Sequence, residues 1–511
     1  PYVFVGNIAD GTLFPYSTMV FTEQIVENTL GLIKPLPYTW IIRLNGKLID
    51  SYLRNPANII PAQGREFFRM NHINAMHHQL YWFLPRPVVE WFYDMMVFAQ
   101  DRPIAQYNRS LEKALSTVQG NVVFFDFAAL VNELAYNYPS YGIETVLVPT
   151  CTLGYSSRSC DISSPEYHQK ISLFSDWFHP SPQLHLMIAQ TMQAIFNAPV
   201  YASAIARHTD SLNSARQSFI DNELDRWRFN PTQNISNPKI FGAYSGSINR
   251  SGVYVDKKNS FSSLANIGIY YPINSSWIAG GALSLSLGKH KPHHEFKYNF
   301  AHEGLSLFTQ YRHDNRWLSL DFGLAHLNAK TTRLTNLYKG ALLHKGKTSA
   351  TSYSLAAKGG VTLYETNQSS WGPILQAAFN RTSVAGDKEK RKEFFAMHYR
   401  AYHMDKNYLG IGWQYQNKQC NWFGIPTQVS VEATYNHKIG QKNLRIPASL
   451  MSAPVLFNRE IKGMPKGWLD TKASAYFKWS KKTQLSANIG YSSDFKRQHD
   501  VSFSLGLSHQ Y

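Results

Sequence analysis

Asp176 and His179 stand in the run FSDWFHPSPQLHLMIA, Phe174 to Ala189, as Asp-x-x-His-Pro-Ser directly ahead of a helical stretch. A carboxylate three residues before an imidazole on a tight loop can hold one ring nitrogen and leave the other free to take a proton, the arrangement of a general base with its orienting acid. The spacing alone does not separate that use from helix capping. A base also needs a group to activate and donors for the charge that develops, so both must be sought elsewhere in the chain. Cys151 and Cys160, nine apart in the loop-like CTLGYSSRSC, form a disulfide candidate in an exported protein, and Cys420 has no evident partner. His290, His293 and His294 (GKHKPHHEF) have the composition of a metal tract but fall between two strands, where an exposed loop is expected. His72, His77 and His78 fit the polar face of a helix. No metal is expected at either place.

The elements that would carry these residues fall into three stretches. From Pro1 to residue 202, apolar runs alternate as in an α/β domain: Val122 to Val131 (VVFFDFAALV) reads as a buried strand running into a helix, and His185 to Phe196 as an amphipathic helix. Residues 203–236 open with a long polar helix that keeps Ile205, Leu212, Phe219 and Trp227 on one stripe and charges around the rest, which suits a helix threading a polar lumen. From 237 to 511 the pattern changes to period-two alternation in twelve candidate strands, each about ten residues, the length of a tilted membrane-spanning strand. The last, VSFSLGLSHQY, sets Val501, Phe503, Leu505, Leu507 and Tyr511 on one face and serines, Gly506 and Gln510 on the other. That is lipid on one side and a wet lumen on the other, so a 12-stranded transmembrane β-barrel in a bacterial outer membrane is expected, with the preceding domain exposed at the cell surface.

Composition agrees with this division. The 511 residues are 44% hydrophobic and 14% aromatic, and thirty Tyr, thirty Phe and twelve Trp are enough to furnish two interfacial girdles. Mean hydropathy is −0.32, and no run of about eighteen apolar residues could cross as a helix. The net charge is +17, but the basic residues are scattered, and the one dense run, DKEKRK (Asp387 to Lys392), reads as a solvated loop. Nucleic acid is therefore excluded as a partner, and the charge is better used at a rim facing anionic head groups. Outer-membrane lipid and the barrel-assembly machinery are the expected partners of a monomer. The chain opens at Pro1 without an apolar signal segment, so either export signals have been removed or a longer precursor precedes it.

The segment around Asp176 and His179 resembles the last conserved block of the GDSL, or SGNH, esterase and lipase family, a Trp-Asp-x-x-His-Pro-Thr pattern followed by a helix beginning near a second histidine, here His185. Tyr107 to Val146 is similar to that family's succession of helix, Asp-terminated strand, second helix and turn. With the barrel added, the chain resembles GDSL autotransporter esterases: a passenger (1–202), a linker helix (203–236) and a translocating barrel (237–511). The resemblance implies a three-layer α/β passenger that hydrolyses carboxylic esters, from short acyl esters to lipids, without metal or organic cofactor, His179 being the base and Asp176 its orienter.

The departures from the family pattern bear on activity. Alignment without gaps sets Val5 to Asp10 (VGNIAD) against the opening Gly-Asp-Ser-Leu-Ser-Asp, which puts Asn7 at the nucleophile's position. A carboxamide has no ionisable hydroxyl to activate. The glycine of the second block falls near Ser17, where a backbone donor survives, and Ser17 itself reads as a helix cap before it reads as a substitute nucleophile. The third block's oxyanion asparagine aligns with Ile49. Losing a serine nucleophile costs on the order of 10⁶ in rate, and one oxyanion donor about 10²–10³. Weak or absent esterase activity is expected, with a non-catalytic surface module for binding or adhesion as the alternative.

Overall fold

The structure, a computed structural model, describes residues 2–15, 17–18, 20–22, 24, 38–80, 84–118, 121–229, 237–250, 260–390, 394–462, 464–495 and 499–510. Near the start, β1 (Val3–Gly6) and β2 (Val122–Phe125) pair in parallel, Val3 opposite Val122 and Gly6 opposite Phe125. Parallel strands need a long crossover. Helices α1 (Tyr38–Arg54), α2 (Gly64–Leu80) and α3 (Arg86–Ser116) fill it. Asp126 then caps α4 (Phe127–Tyr136), accepting from the Ala129 N–H at 3.0 Å, so VVFFDFAALV is the expected strand and helix. Among the described residues this parallel sheet has two strands, which leaves the N-terminal α/β unit rich in helix. Val123, Phe124 and Phe125 form its core with Leu130, Leu134, Leu173 and Leu184.

A single helix, α5 (Pro182–Phe229), leaves this unit. The sequence suggests two helices with a break before 203, but the helix runs through Pro199 without interruption. Proline in a helix removes one backbone hydrogen bond; here Ala198, Pro199 and Ala202 are buried on both sides of the position. The stripe, at spacings of seven, seven and eight residues, is real: Ile205 and Leu212 pack in one cluster inside the barrel and Phe219 and Trp227 in the next. Residues 230–236, the expected end of the linker, lie outside the described residues.

Twelve strands follow, each antiparallel to its neighbours: β3 (Lys239–Arg250), β4 (Ser260–Asn274), β5 (Trp277–His293), β6 (Phe296–His313), β7 (Arg316–Leu337), β8 (Gly340–Val361), β9 (Ser369–Val384), β10 (Asn407–Trp422), β11 (Ile425–Ile439), β12 (Gly467–Lys478), β13 (Thr483–Ser493) and β14 (His499–Gln510). β8 pairs with β9, β9 with β10 and β11 with β12, and β14 returns to β3, with His499 opposite Arg250 and Gln510 opposite Lys239. The barrel is closed. Tyr511, the expected terminal aromatic, is outside the described residues. Leu283, Leu285, Leu305, Leu307 and Leu320 face outward, with exposed Trp277, Tyr311, Trp371 and Trp422 toward one rim and Phe261, Tyr435 and Tyr491 toward the other. An exposed apolar belt between aromatic girdles is the surface a lipid bilayer covers. Among the described residues no helix is long and apolar enough to cross a membrane.

Inside the barrel, charges on α5 meet opposite charges on the wall. The Arg216 guanidinium donates to both Asp321 oxygens at 3.2 and 3.3 Å, to Ser354 at 2.6 Å and to Ser306. Lys358 reaches Asp221 at 2.6 Å and Glu432 at 2.8 Å, Lys472 reaches Asp225 at 3.0 Å, and Lys406 reaches Asp210 at 3.1 Å. At the helix C-terminus Arg312 donates to the carbonyls of Trp227 and Arg228, groups with no partner within the helix and at the negative end of its dipole. Because Arg312 lies at the short-turn end of β6, the helix ends at that rim and the N-terminal unit sits at the other.

At that other rim the connections after β9 and β11 form a four-stranded sheet (Asp387–Lys388, Met397–Tyr399, Leu444–Leu450 and Phe457–Ile461) on which the N-terminal unit rests. Phe395 stacks on Phe125 at 6.2 Å, and the Tyr2 hydroxyl donates to Asn458 O and accepts from Glu460 N–H, both at 2.9 Å. This corrects the reading of DKEKRK as a solvated loop. Asp387 and Glu389 are buried, and Glu389 takes a bidentate pair from Arg333 at 2.9 and 2.7 Å; Arg391 and Lys392 lie outside the described residues. Two histidine tracts differ likewise. His290 and His293 are buried in β5, where His290 stacks on His208 of α5 at 4.2 Å and His293 on Tyr201 at 4.4 Å. His72, expected on a polar face, is enclosed by Phe68 and Tyr93, and among the described residues neither ring nitrogen has a hydrogen-bond partner.

Burial without a partner pushes the His72 imidazole down to about 4. The unfolded chain, with its ordinary value near 6.5, therefore binds a proton that the folded unit refuses, so stability is complete above pH 6.5 and falls as the pH drops toward 4. We expect a loss of about 3 kcal/mol across that interval. Hydrogen exchange of α2 amides between pH 7.5 and 4.5 measures it, and His72→Leu should flatten the profile.

Candidate active site of the N-terminal unit

The loop between α4 and α5 builds the Asp176 and His179 pair. Its extended backbone is tied down at both ends: Cys151 N–H donates to Ser175 O at 2.8 Å, and Ser175 N–H to His179 O at 2.8 Å, which closes residues 175–179 into a tight turn. A disulfide joins Cys151 to Cys160. Within the loop it brackets, Ser157 N–H donates to Asp176 Oδ2 at 2.7 Å. The Asp176 carboxylate also accepts from the backbone N–H of Phe178 at 3.2 Å and of His179 at 2.9 Å, and from His179 Nδ1 at 2.8 Å. Burial alone would raise the acid, but these hydrogen bonds outweigh it and hold the carboxyl below the usual range. Asp176 is 0% exposed, whereas the His179 side chain is 49% exposed. Phe178 lies against the imidazole at 4.1 Å between ring centroids. The result is an imidazole oriented through Nδ1 by an ionised, buried carboxylate, with its Nε2 edge at the surface. That is what a proton acceptor requires.

The other expected residues lie in the same unit but do not join the pair. Phe14 rests on Phe174 at 4.8 Å, which brings the loop after β1 beside the loop of Asp176. In that loop Asn7 donates from Nδ2 to Asp126 Oδ1 at 2.8 Å and accepts at Oδ1 from Ala128 N–H at 2.9 Å. Both ends of the amide are thus engaged with the start of α4. The Ser17 hydroxyl is buried and donates to Gly11 O and, at 2.9 Å, to Phe14 O, the behaviour of a turn-closing serine. Ile49 is wholly buried in the core, beside an Asp50 carboxylate that accepts from Arg54 at 2.5 and 3.0 Å and from Leu153 N–H at 3.1 Å. Among the described residues no hydrogen bond joins His179 to Asn7 or Ser17.

Sequence reasoning missed three supports. Ser157 reaches Asp176 through its backbone, which residue type cannot announce. Asp126 anchors Asn7, and its position at the end of an apolar strand ahead of a helix was the available signal. Asn108 of α3 holds the loop after β1 through paired bonds with Ile8, 2.9 and 2.8 Å, and carried no signal.

A polar helix held inside a closed, lipid-facing barrel, with an α/β unit seated at the rim opposite the short turns, defines an outer-membrane β-barrel protein: the barrel spans the membrane and the N-terminal unit is displayed at the cell surface. Residues 241–490 match the family model described as "Autotransporter beta-domain". The chain is similar to Lipase 1 of Photorhabdus luminescens, 24% identical over 406 residues, a match that covers 78% of this chain and 59% of that protein. It therefore spans less than two thirds of that relative's length. Among solved structures it is similar to the translocator domain of the autotransporter NalP from Neisseria meningitidis, with 11% identity, 61% of this chain and 100% of that one covered and a TM-score of 0.46. It is also similar to the beta domain of the Bordetella autotransporter BrkA, with 14% identity, 54% and 100% covered and a TM-score of 0.39.

Asp176→Ala would leave three N–H donors and the imidazole without their acceptor. Lost hydrogen bonds to a buried charge predict a destabilisation of about 2–4 kcal/mol, read as faster proteolysis within residues 151–179. Phe178→Ala, which removes the ring stacked between the imidazole and Trp177 but none of the hydrogen bonds to Asp176, should leave that rate within about twofold of wild type.

Proposed function

We propose that residues 1–202 are a passenger of GDSL-type ester hydrolase descent, that 203–236 link it through the lumen, and that 237–511 are its translocator. The observation that carries this reading is the Asp176 and His179 pair, an imidazole anchored by a buried, multiply bonded carboxylate on a disulfide-braced loop. The similarity to a lipase-named relative over 406 residues supports it. His179 is the base and Asp176 its orienter, without cofactor, and the substrate class is carboxylic esters, from short acyl chains to lipids, at the outer surface of the membrane.

In this chain the chemistry is incomplete. Asn7 stands at the nucleophile position of the proposed alignment with its amide committed to Asp126 and Ala128, and Ile49 stands at that of the oxyanion asparagine. An imidazole that can accept a proton but has no hydroxyl to take it from cannot start acyl transfer. We assign to the chain a passenger with esterase activity weak or lost.

Turnover of p-nitrophenyl butyrate by the full chain in detergent should equal the His179→Ala background, and a fluorophosphonate probe should label no serine. Turnover abolished by His179→Ala, or a labelled serine located by mass spectrometry, would contradict the assignment.

A further inference from the structure

Above the leucine belt, the outward face of β5 to β8 carries six exposed lysines: Lys289, Lys291, Lys297, Lys330, Lys345 and Lys347. Register aligns them. Lys289 is opposite Asn299, Asn299 opposite Lys330, and Lys330 opposite Lys347, so one row across four strands holds three ammonium groups. Two residues farther out, Lys297 is opposite Thr332, and Thr332 opposite Lys345. Directly opposed like charges on a sheet destabilise it, so Lys330 against Lys347 needs a compensating anion. Among the described residues no salt bridge joins Lys289, Lys291, Lys297, Lys330 or Lys347 to a carboxylate.

The height of the patch points to its partner. Lys289 follows Leu287 on the same face of β5, with Leu285 and Leu283 below, so the lysines continue directly from the surface that lipid covers. On β7, Lys330 is six residues beyond outward-facing Leu324, about 20 Å along the strand and, for a tilt near 45°, about 14 Å above the apolar belt. Because the N-terminal unit marks this rim as the outer one, the patch lies at the head-group level of the outer leaflet. Lysines are point donors for phosphate and, at a membrane surface, act additively.

We propose that this face binds a multiply phosphorylated lipid head group of the outer leaflet, two or more phosphates spanning the row Lys289, Lys330 and Lys347. The membrane-anchored phosphates place anions between the opposed lysines and fix the barrel's height in the bilayer.

The test uses the full chain in a non-ionic detergent, titrated with lipid A, with its dephosphorylated counterpart and with inorganic pyrophosphate. Lipid A should bind wild type with an affinity that falls as salt rises. The variant Lys289→Gln/Lys330→Gln/Lys347→Gln should bind roughly tenfold to a hundredfold more weakly, and Lys481→Gln/Lys482→Gln at the opposite rim should match wild type. Retained heat-modifiable migration shows that each variant's barrel is intact. If the triple variant misfolds, the salt dependence and the phosphate requirement of wild type decide. Equal binding of dephosphorylated lipid, an unchanged triple variant, or pyrophosphate competing at the concentration of lipid A itself would overturn the proposal, the last by showing a general anion site.

Discussion

Hydrocarbon offers the backbone no hydrogen bonds, so the pairing of β14 with β3 is the contact on which the rest of the chain depends. Without it, one row of N–H and C=O groups on each strand would face lipid, at a cost of several kcal/mol per group. Closure at this seam commits one side of every strand to lipid and the other to an enclosed lumen. The lumen is then a place where polar residues are required, and a polar helix can be buried there. Arg216, wholly buried, is stable because Asp321, Ser306 and Ser354 surround it; the removal of one partner from such a buried pair costs about 3–5 kcal/mol. The charges alternate between helix and wall, Asp210 to Lys406, Arg216 to Asp321, Asp221 to Lys358 and Asp225 to Lys472, so sliding the helix by a turn would mispair several at once. That gives the helix one register, and the register fixes the height of the N-terminal unit.

The unit itself is held by contacts that belong to neither domain alone. Residues from two long connections of the barrel, Phe395, Met397, Leu450 and Phe457, share a core with Val123 to Phe125. The bidentate pair of Arg333 with Glu389 anchors that platform to the extended outer end of β7. The Asp176 and His179 pair therefore belongs to a unit tied to the outer rim of the barrel by a chain of buried contacts.

The sequence made the membrane-spanning parts legible because lipid and lumen impose opposite demands on alternate residues, and all twelve segments recognised by alternation are strands. The extensions of β5 to β8 beyond the belt were not visible, since above the bilayer both faces are polar or mixed. The stripe of Ile205, Leu212, Phe219 and Trp227 was readable for the same reason as the strands: one face of the helix meets wall clusters at fixed spacing. Its continuity through Pro199 was not, because a proline marks a break unless packing overrides it. In the candidate site, the Asp-x-x-His spacing anticipated a bonded pair, but the backbone of Ser157 and the anchoring of Asn7 by Asp126 depend on segments brought together only in the fold. His72 and Glu389 show the same limit, since periodicity reports that a position is on a face and says nothing of what covers it.

The central claim is that α5 lies in the closed lumen in a single register. Asn213 donates to the Ser352 hydroxyl of β8, while Ser504 lines the far side of a cavity of about 400 Å³ left beside the helix. In a Cys420→Ser background, Asn213→Cys/Ser352→Cys should form a disulfide in intact outer membranes without added oxidant, seen as altered gel mobility lost on reduction, while Asn213→Cys/Ser504→Cys should not. Cross-linking of the second pair in place of the first, or of neither, would contradict the account.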